Sequence, residues 1–309
     1  MMKTSKAWGW LSRRAISVFI LILVSSALGA LVAQDIRVSY VDGSVDVQKA
    51  GGWAGLGIGD TIAGDARVRL GAASYLELAA DGATIKLNQM GSYTIADLLT
   101  AAKKIQDGRT QEILSSTLSR LARGTGTNQS AVMGVRGANE GKRDQSQWAT
   151  SDAEVYLDDG KDFIASGEYG KAIERLQSAL DDASDEIAPE IKYNLGYAYE
   201  LNGDTKDSVK LISDLDPRAE EPWAPDFILL KAKLFLDTNA FAQDVQWLTG
   251  RGAVLAQDAQ RGQLYYFLLA LGYRGSGDTA NEGLSLDKAS SIEPSSDIGA
   301  AASELAKNP

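Results

Sequence analysis

Three patterns of apolar and polar positions follow one another along the chain. Residues 15–24 form one continuous apolar run. Short segments in which apolar and polar residues alternate come next, and from residue 151 onward apolar residues recur three and four positions apart. Alternation is typical of strands with one buried face, whereas the longer spacing is typical of amphipathic helices. The pattern predicts a β region followed by a helical region.

The alternating segments divide into short strands separated by turn residues. Asp42-Gly43 and Asp81-Gly82 are tight-hairpin signals, because both dipeptides tolerate the positive φ that two-residue turns require. We expect five to seven short strands. The clearest alternation covers residues 36–40, 44–48, 66–70, 75–79 and 83–87.

A helical pattern appears before this region ends. The apolar residues of 95–123 fall at helix spacing, and the glycine-rich and polar residues 124–130 are typical of a loop. We therefore expect an all-β domain over residues 35–143 with a helical insertion near 95–123. The charged, glutamine-rich residues at its end predict an interdomain linker at 144–152.

Residues 153–309 predict an array of paired helices. Small and large residues recur there with a period near 36, which indicates a helical repeat. Glycine and alanine let two helices approach closely, and large residues fill the space between them. The recurring positions are Tyr156, Gly160, Phe163, Gly167, Ala172, Leu176 and Ala179, then Leu195, Gly196, Tyr199, Gly203, Ile212 and Leu215, and finally Leu269, Tyr273, Gly277, Leu286 and Ala289.

The predicted array has irregular parts. A third unit at 227–249 is degenerate, and the tail at 296–307 suits a polar capping helix. Ser208, Asp244 and Glu282 stand where a small residue is usual, so we expect looser helix packing at these positions.

The β segments resemble the FecR-type periplasmic domain, and residues 131–137 are similar to the strand that returns late in that domain. The resemblance implies short coiled strands and a role in sensing or binding at the bacterial envelope. Regulators of that family carry a longer segment before their membrane span. Only 14 residues precede the apolar run here, so we do not expect sigma-factor regulation. The matching residues are Gly43, Val45, Val47, Gly52, Trp53, Leu56, Gly59, Asp60, Gly64, Asp65, Val68, Leu70, Gly71, Ser74, Glu77, Leu78, Gly82, Ile85 and Leu87.

The helical units resemble tetratricopeptide repeats, with a generic array of helical hairpins as the alternative. The resemblance implies an all-α solenoid whose inner face is a binding groove. Tyr193 and Tyr197, four residues apart on one helix, predict either an aromatic platform for a peptide or packing against the neighbouring unit. The groove would carry Lys161, Tyr193, Tyr197, Glu200, Lys233 and Arg274, together with Leu157, Ile164, Glu190 and Phe267.

The N-terminus has the pattern of a secretory signal peptide. Basic residues up to Arg14 precede the apolar run, and small residues lead to Ala33. We expect the signal to occupy residues 1–33, with Gln34 first in the mature chain and no stable membrane span after cleavage. The alternative is an uncleaved anchor through residues 15–33, because such a run nearly reaches the roughly 20 residues that a bilayer requires.

Composition narrows the possible chemistry. The chain has no histidine and no cysteine, which excludes catalytic triads and the common zinc sites. Its net charge of −10 disfavours nucleic acid as a partner. The residues from 151 onward carry 14 basic and 29 acidic side chains. We predict no catalytic residue, no metal site and no cofactor.

These observations favour a non-catalytic periplasmic scaffold that binds an envelope protein or peptide, with a cell-wall glycan as another ligand class. One alternative is a membrane-anchored sensing or regulatory protein. The other is a glycan-acting enzyme that uses carboxylates. The paired acids Asp158-Asp159 and Asp181-Asp182 are sequence neighbours, which do not face each other on a helix.

Overall fold

The structure is a computed structural model that describes residues 36–80, 83–105, 108–127 and 151–307. Four predictions fall outside these residues: the signal peptide at 1–33, the turn residues Asp81-Gly82, the late strand at 131–137 and nearly all of the linker at 144–152.

The described residues contain eight short strands, one more than the upper number expected. They are β1 (Ile36–Asp42), β2 (Val45–Lys49), β3 (Gly52–Gly55), β4 (Thr61–Ile62), β5 (Arg67–Leu70), β6 (Tyr75–Ala80), β7 (Ala83–Leu87) and β8 (Gly91–Thr94). The alternation that predicts them corresponds to burial. In β5, Val68 and Leu70 are buried while Arg67 and Arg69 are exposed.

The strands form two antiparallel sheets with the orders β4-β1-β6-β7 and β3-β2-β5-β8. The hairpin predicted at Asp42-Gly43 is wrong, because β1 pairs with β4 and β6 whereas β2 pairs with β3 and β5. Gly43, at φ +76°, instead leads the chain from one sheet to the other. A Cβ at Gly43 would lie 2.6 Å from Ser74 Oγ. Alternation locates strands along the chain but does not choose their partners.

One apolar cluster joins the two sheets. Val38 and Leu78 from the first sheet and Val68 from the second are completely buried in it. Helix α1 (Ile95–Ile105), which follows β8 directly, adds Leu98 to the same cluster. The β region and α1 therefore share a core.

The remaining helices form a second core. They are α2 (Gly108–Thr127), α3 (Asp152–Ala165), α4 (Tyr169–Asp181), α5 (Ala188–Leu201), α6 (Thr205–Ile212), α7 (Ala224–Asp237), α8 (Phe241–Leu248), α9 (Gly252–Leu255), α10 (Ala259–Ser276), α11 (Thr279–Ile292) and α12 (Asp297–Lys307). Helix α2 continues to Thr127, so the loop predicted at 124–130 begins later than expected. In the part of the chain that the structure describes, no helix is both long and apolar enough to cross a bilayer.

Eight of these helices pack as consecutive pairs, namely α3–α4, α5–α6, α7–α8 and α10–α11, and each pair contacts the next. The same turn joins the two helices of every pair. A left-handed residue ends the first helix, and the next N–H donates to the carbonyl five residues earlier, which caps the helix end. The left-handed residues are Gly167, Gly203, Asn239 and Gly277, and the accepting carbonyls belong to Phe163, Tyr199, Phe235 and Tyr273.

The helices of a pair approach closely at small residues. A Cβ at Gly160 would lie 2.5 Å from Leu176, and one at Gly196 would lie 2.5 Å from Ile212. The looser packing expected at the polar positions is not found. Ser208, Asp244 and Glu282 are 0%, 0% and 4% exposed, so the array holds these polar side chains in its interior.

Candidate partner-binding face

The predicted groove residues lie on the first helices of the four pairs: Lys161 on α3, Tyr193, Tyr197 and Glu200 on α5, Lys233 on α7 and Arg274 on α10. Ion pairs link neighbouring first helices. Lys161 Nζ lies 2.6 Å from Glu190 Oε1 on α5, and Lys233 pairs with Glu200 between α7 and α5. Arg274 binds other helices, with its Nε 2.6 Å from Glu282 Oε1 on α11. The structure thus brings the α3, α5 and α7 residues together and leaves Arg274 apart.

Tyr193 lies inside an aromatic cluster. Its ring stacks on Trp223 with centroids 5.4 Å apart, lies edge-on to Phe227 at 6.0 Å, and is 5.8 Å from Tyr197. Tyr193 and Tyr197 are 7% and 2% exposed. Burial raises the pKa of both phenols well above the usual value. The expectation of an open aromatic platform is therefore corrected, because both rings lie within the packed array.

Helix α2 of the same chain packs over Tyr197. The Tyr197 hydroxyl donates a buried hydrogen bond of 2.5 Å to the Leu118 carbonyl. Helix α2 also contacts α3, α7 and α12. The sequence analysis assigned this helix to an insertion in the β-domain, but its leucines pack in the core of the helical array.

A buried charged trio lies next to these aromatic side chains. Lys233 Nζ pairs with Glu200 and lies 2.5 Å from Asp237 Oδ2, and all three side chains are less than 10% exposed. Burial alone would lower the pKa of Lys233, but Asp237 and Glu200 outweigh burial and raise it. Burial raises the pKa of Glu200 by removing its carboxylate from water, and the nearby Asp237 raises it further, whereas Lys233 acts in the opposite direction. The lysine therefore stays protonated and fixes the spacing of α5 and α7.

The first β-sheet contacts the array beside this trio. Lys86 Nζ donates to Thr205 Oγ1 at 2.9 Å, and Asn239 Nδ2 donates to the Lys86 carbonyl at 3.1 Å. Lys206 donates to the Tyr40 hydroxyl and lies 4.2 Å from the centre of its ring. The β region therefore contacts the array at the N-terminal end of α6 and at the turn that follows α7.

Tyr75 is buried next to this contact. Its ring lies edge-on to Tyr40 at 6.2 Å, and it is 6% exposed. Burial, with smaller contributions from Glu77, Asp237 and Glu200, raises the pKa of Tyr75 far above the usual value. Within the described ranges, its hydroxyl has no hydrogen-bond partner. The phenol therefore stays protonated in this position.

The accessible part of the predicted face is its edge. Lys161 and Glu190 have side chains that are 34% and 32% exposed. A polar cleft of about 250 Å³ opens at the other end, between α2 and the last helices, and Thr117, Arg120, Gln263 and Asp297 are among its lining residues. Among the residues with described positions, no group of three or more aspartate or glutamate side chains could hold a metal ion.

The sequence analysis did not predict that helix α2 packs on this face. Within α2, the buried residues recur as a single stripe, and that spacing could have identified a helix that packs on another surface. The surface against which this helix packs could not be predicted, because an amphipathic pattern shows that one side of a helix is buried but does not show which surface covers it.

A scan against family models finds no match for this chain, and a search of curated proteins finds no relative.

Proposed function

We propose that this chain is a non-catalytic, exported scaffold of the bacterial envelope, in which a FecR-type β-domain precedes a tetratricopeptide-like solenoid that binds protein partners. The observation that carries the proposal is the turn shared by the four helix pairs. Its left-handed residues at 167, 203, 239 and 277 follow one another at intervals of 36, 36 and 38 residues. A repeated unit that packs on its neighbours is the architecture of scaffold arrays.

The β region supports the first half of the proposal. The described FecR-like motif residues lie on or between the short strands of two four-stranded sheets. The motif glycine Gly43 has positive φ where the chain changes sheets, and the motif serine Ser74 accepts a hydrogen bond from Ser44 N at 2.9 Å. The resemblance thus rests on residues that position the chain rather than on a catalytic set.

The charged side chains favour binding over catalysis. The Glu200 and Asp237 carboxylates share Lys233, and Asp226 accepts from Arg261 Nε at 2.7 Å. A carboxylate held by a cation is poorly suited to move protons to and from a substrate. The chain also has no histidine or cysteine, the side chains whose ordinary pKa values lie nearest to neutral pH. The paired charged side chains connect helices and are well suited to hold a rigid surface.

The test is capture by the full chain from envelope extracts, with the intact mass of the exported protein measured in parallel. We expect the intact mass of a mature chain that begins at or near Gln34. The exposed edge residue Lys161 should contribute to capture, so Lys161→Glu should weaken it at least fivefold. Lys210→Glu makes the same charge change at an exposed position of α6. It is the control and should leave capture unchanged. Retention of Met1 would overturn signal cleavage and favour the membrane-anchored alternative, and equal capture by both variants would overturn binding at this face.

A further inference from the structure

Helix α2 is attached to the helical array along a single side. Its buried positions follow helix periodicity and include two threonines, while Arg109, Glu112, Ser115, Ser116 and Arg120 face outward. The buried residues are Thr110, Ile113, Leu114, Thr117, Leu118 and Leu121. This one-sided burial is how an amphipathic helix lies in a groove of a separate protein.

Two exposed ion pairs join α2 to α12. Arg109 lies 2.6 Å from Glu304, with side chains 64% and 58% exposed, and Arg120 lies 3.6 Å from Asp297. Exposed ion pairs of this kind contribute little and weaken in salt. The polar cleft beside Thr117 and Arg120 further reduces the apolar contact at this end. Most of the attachment therefore comes from the leucine stripe.

Release of α2 would leave the core of the β region complete. The neighbouring helix α1 buries Leu98 and Leu99 in the β-sheet cluster, whereas Leu114 and Leu118 of α2 belong to the array cluster. The fully buried residues of α1 thus belong to the β core and those of α2 to the array core, while Ala101 of α1 also packs against the array. Because α2 adds to the array from one side, its departure exposes Tyr197 without breaking any of the four helix pairs.

We propose that the inner face of the array is a receptor for an amphipathic helix, that α2 is its intramolecular occupant, and that the helix of a partner protein replaces α2. The partner helix carries leucines at positions i, i+4 and i+7, as at Leu114, Leu118 and Leu121, and basic residues outside the stripe. These basic residues take the places of Arg109 and Arg120, which pair with Glu304 and Asp297 on α12. This inference rests on the proposed function and names the chemistry of the partner.

The test uses the full chain and a fluorescent synthetic peptide of residues 108–127. In the wild-type chain the tethered α2 competes at a high effective concentration, so peptide binding should be weak. Leu114→Ala with Leu118→Ala weakens the tethered helix, and the peptide should bind this variant with a Kd at least tenfold lower than for wild type. The control peptide carries Leu118→Glu and should not bind. A folded variant that binds neither peptide, or both equally, overturns the proposal.

Hydrogen exchange of the wild-type chain gives a second readout that requires no substitution. The α2 amides should exchange as one unit at least tenfold faster than the α5 and α7 amides, because α2 opens without unfolding the pairs. Equal protection of α2 and α5 would contradict replacement. If the wild-type chain were a dimer that the peptide converts into monomers, the face would bind a second copy of this chain. That result would overturn the proposal of a separate partner protein.

These outcomes separate the inference from the function on which it rests. Capture that depends on Lys161 together with no peptide binding would defeat the helix receptor alone. Peptide binding without any capture from the envelope would leave the receptor in place and defeat the proposed scaffold.

Discussion

The two regions of this molecule fill their interiors with different chemistry. In the described part of the chain up to residue 105, the core cluster is built from aliphatic side chains, and the buried residues with a polar group are Ser74 and Tyr75. The helical region has an apolar core of its own but also buries ionisable groups between its helices. They include Glu200, Asp226, Lys233, Asp237, Asp244 and Glu282.

The difference indicates what specifies each region. Apolar contacts are non-directional, and a core of aliphatic side chains tolerates changes that keep its volume. A buried ion pair is costly to desolvate and becomes strongly destabilising when one partner is lost. Helix pairs that resemble one another could pack in the wrong order, and a lysine that needs two particular carboxylates favours one order. The helical region should therefore depend on individual charges, and the β region on apolar volume.

The largest expected effect is at Lys233. Lys233→Met leaves the Glu200 and Asp237 carboxylates buried without a cation, and we expect the free energy of unfolding to fall by about 3–5 kcal/mol. Urea denaturation monitored by helical circular dichroism measures the change. In the control, Lys233→Met is combined with Glu200→Leu and Asp237→Leu, which removes all three charges and should recover most of the loss. A single variant as stable as wild type would contradict this account of the array.

The matching change in the β region removes apolar volume. Leu78 is completely buried between the sheets, so Leu78→Ala should lower the free energy of unfolding by about 2–5 kcal/mol. This loss should be the same at pH 5 and pH 8, since no titratable group is involved. Ile58, which is 63% exposed, provides the control, and Ile58→Ala should change stability by less than about 0.5 kcal/mol. A marked pH dependence of the Leu78→Ala loss would remove the contrast between the regions.

Asp244 gives a smaller effect that depends on pH. It is completely buried, neither carboxyl oxygen has a hydrogen-bond partner among the described residues, and burial raises its pKa well above the usual value. As the pH rises above about 4, the unfolded chain loses this proton while the folded chain keeps it, so stability falls. Asp244→Ala should therefore stabilise the protein by roughly 1–3 kcal/mol at pH 7 and by less at pH 4.

Ser208 is the control for this measurement. It occupies the corresponding position of the previous helix pair, is equally buried, and its hydroxyl also has no partner in the described structure. Because a hydroxyl does not titrate in this range, any effect of Ser208→Ala should be independent of pH. If Asp244→Ala gave the same gain at both pH values, the raised pKa of Asp244 would not be the cause.

The sequence predicted positions along the chain better than contacts between distant parts. The period of two located β1, β2, β5, β6 and β7, and the helical spacing of apolar residues located the helical region from residue 151 onward, because both signals are local. The crossing at Gly43 could not be predicted, since a glycine turn is compatible with a hairpin or with a change of sheet. The placement of α2 over Tyr197 was missed for a related reason, because its buried stripe does not identify the surface that it meets.

The smallest expected effect is at an exposed ion pair of the helical region. The Arg109–Glu304 pair joins α2 to α12 at 2.6 Å, but both side chains are more than half exposed. Water screens exposed pairs, so a double-mutant cycle with Arg109→Ala and Glu304→Ala should give a coupling free energy of about 0.2–1 kcal/mol. The coupling should vanish in about 1 M salt, where the Debye length falls to roughly 3 Å. Thermal melts of the four proteins at low and high salt measure it. A coupling as large as the loss at Lys233, or one that persists in salt, would mean that α2 is fixed by charge rather than by its leucines.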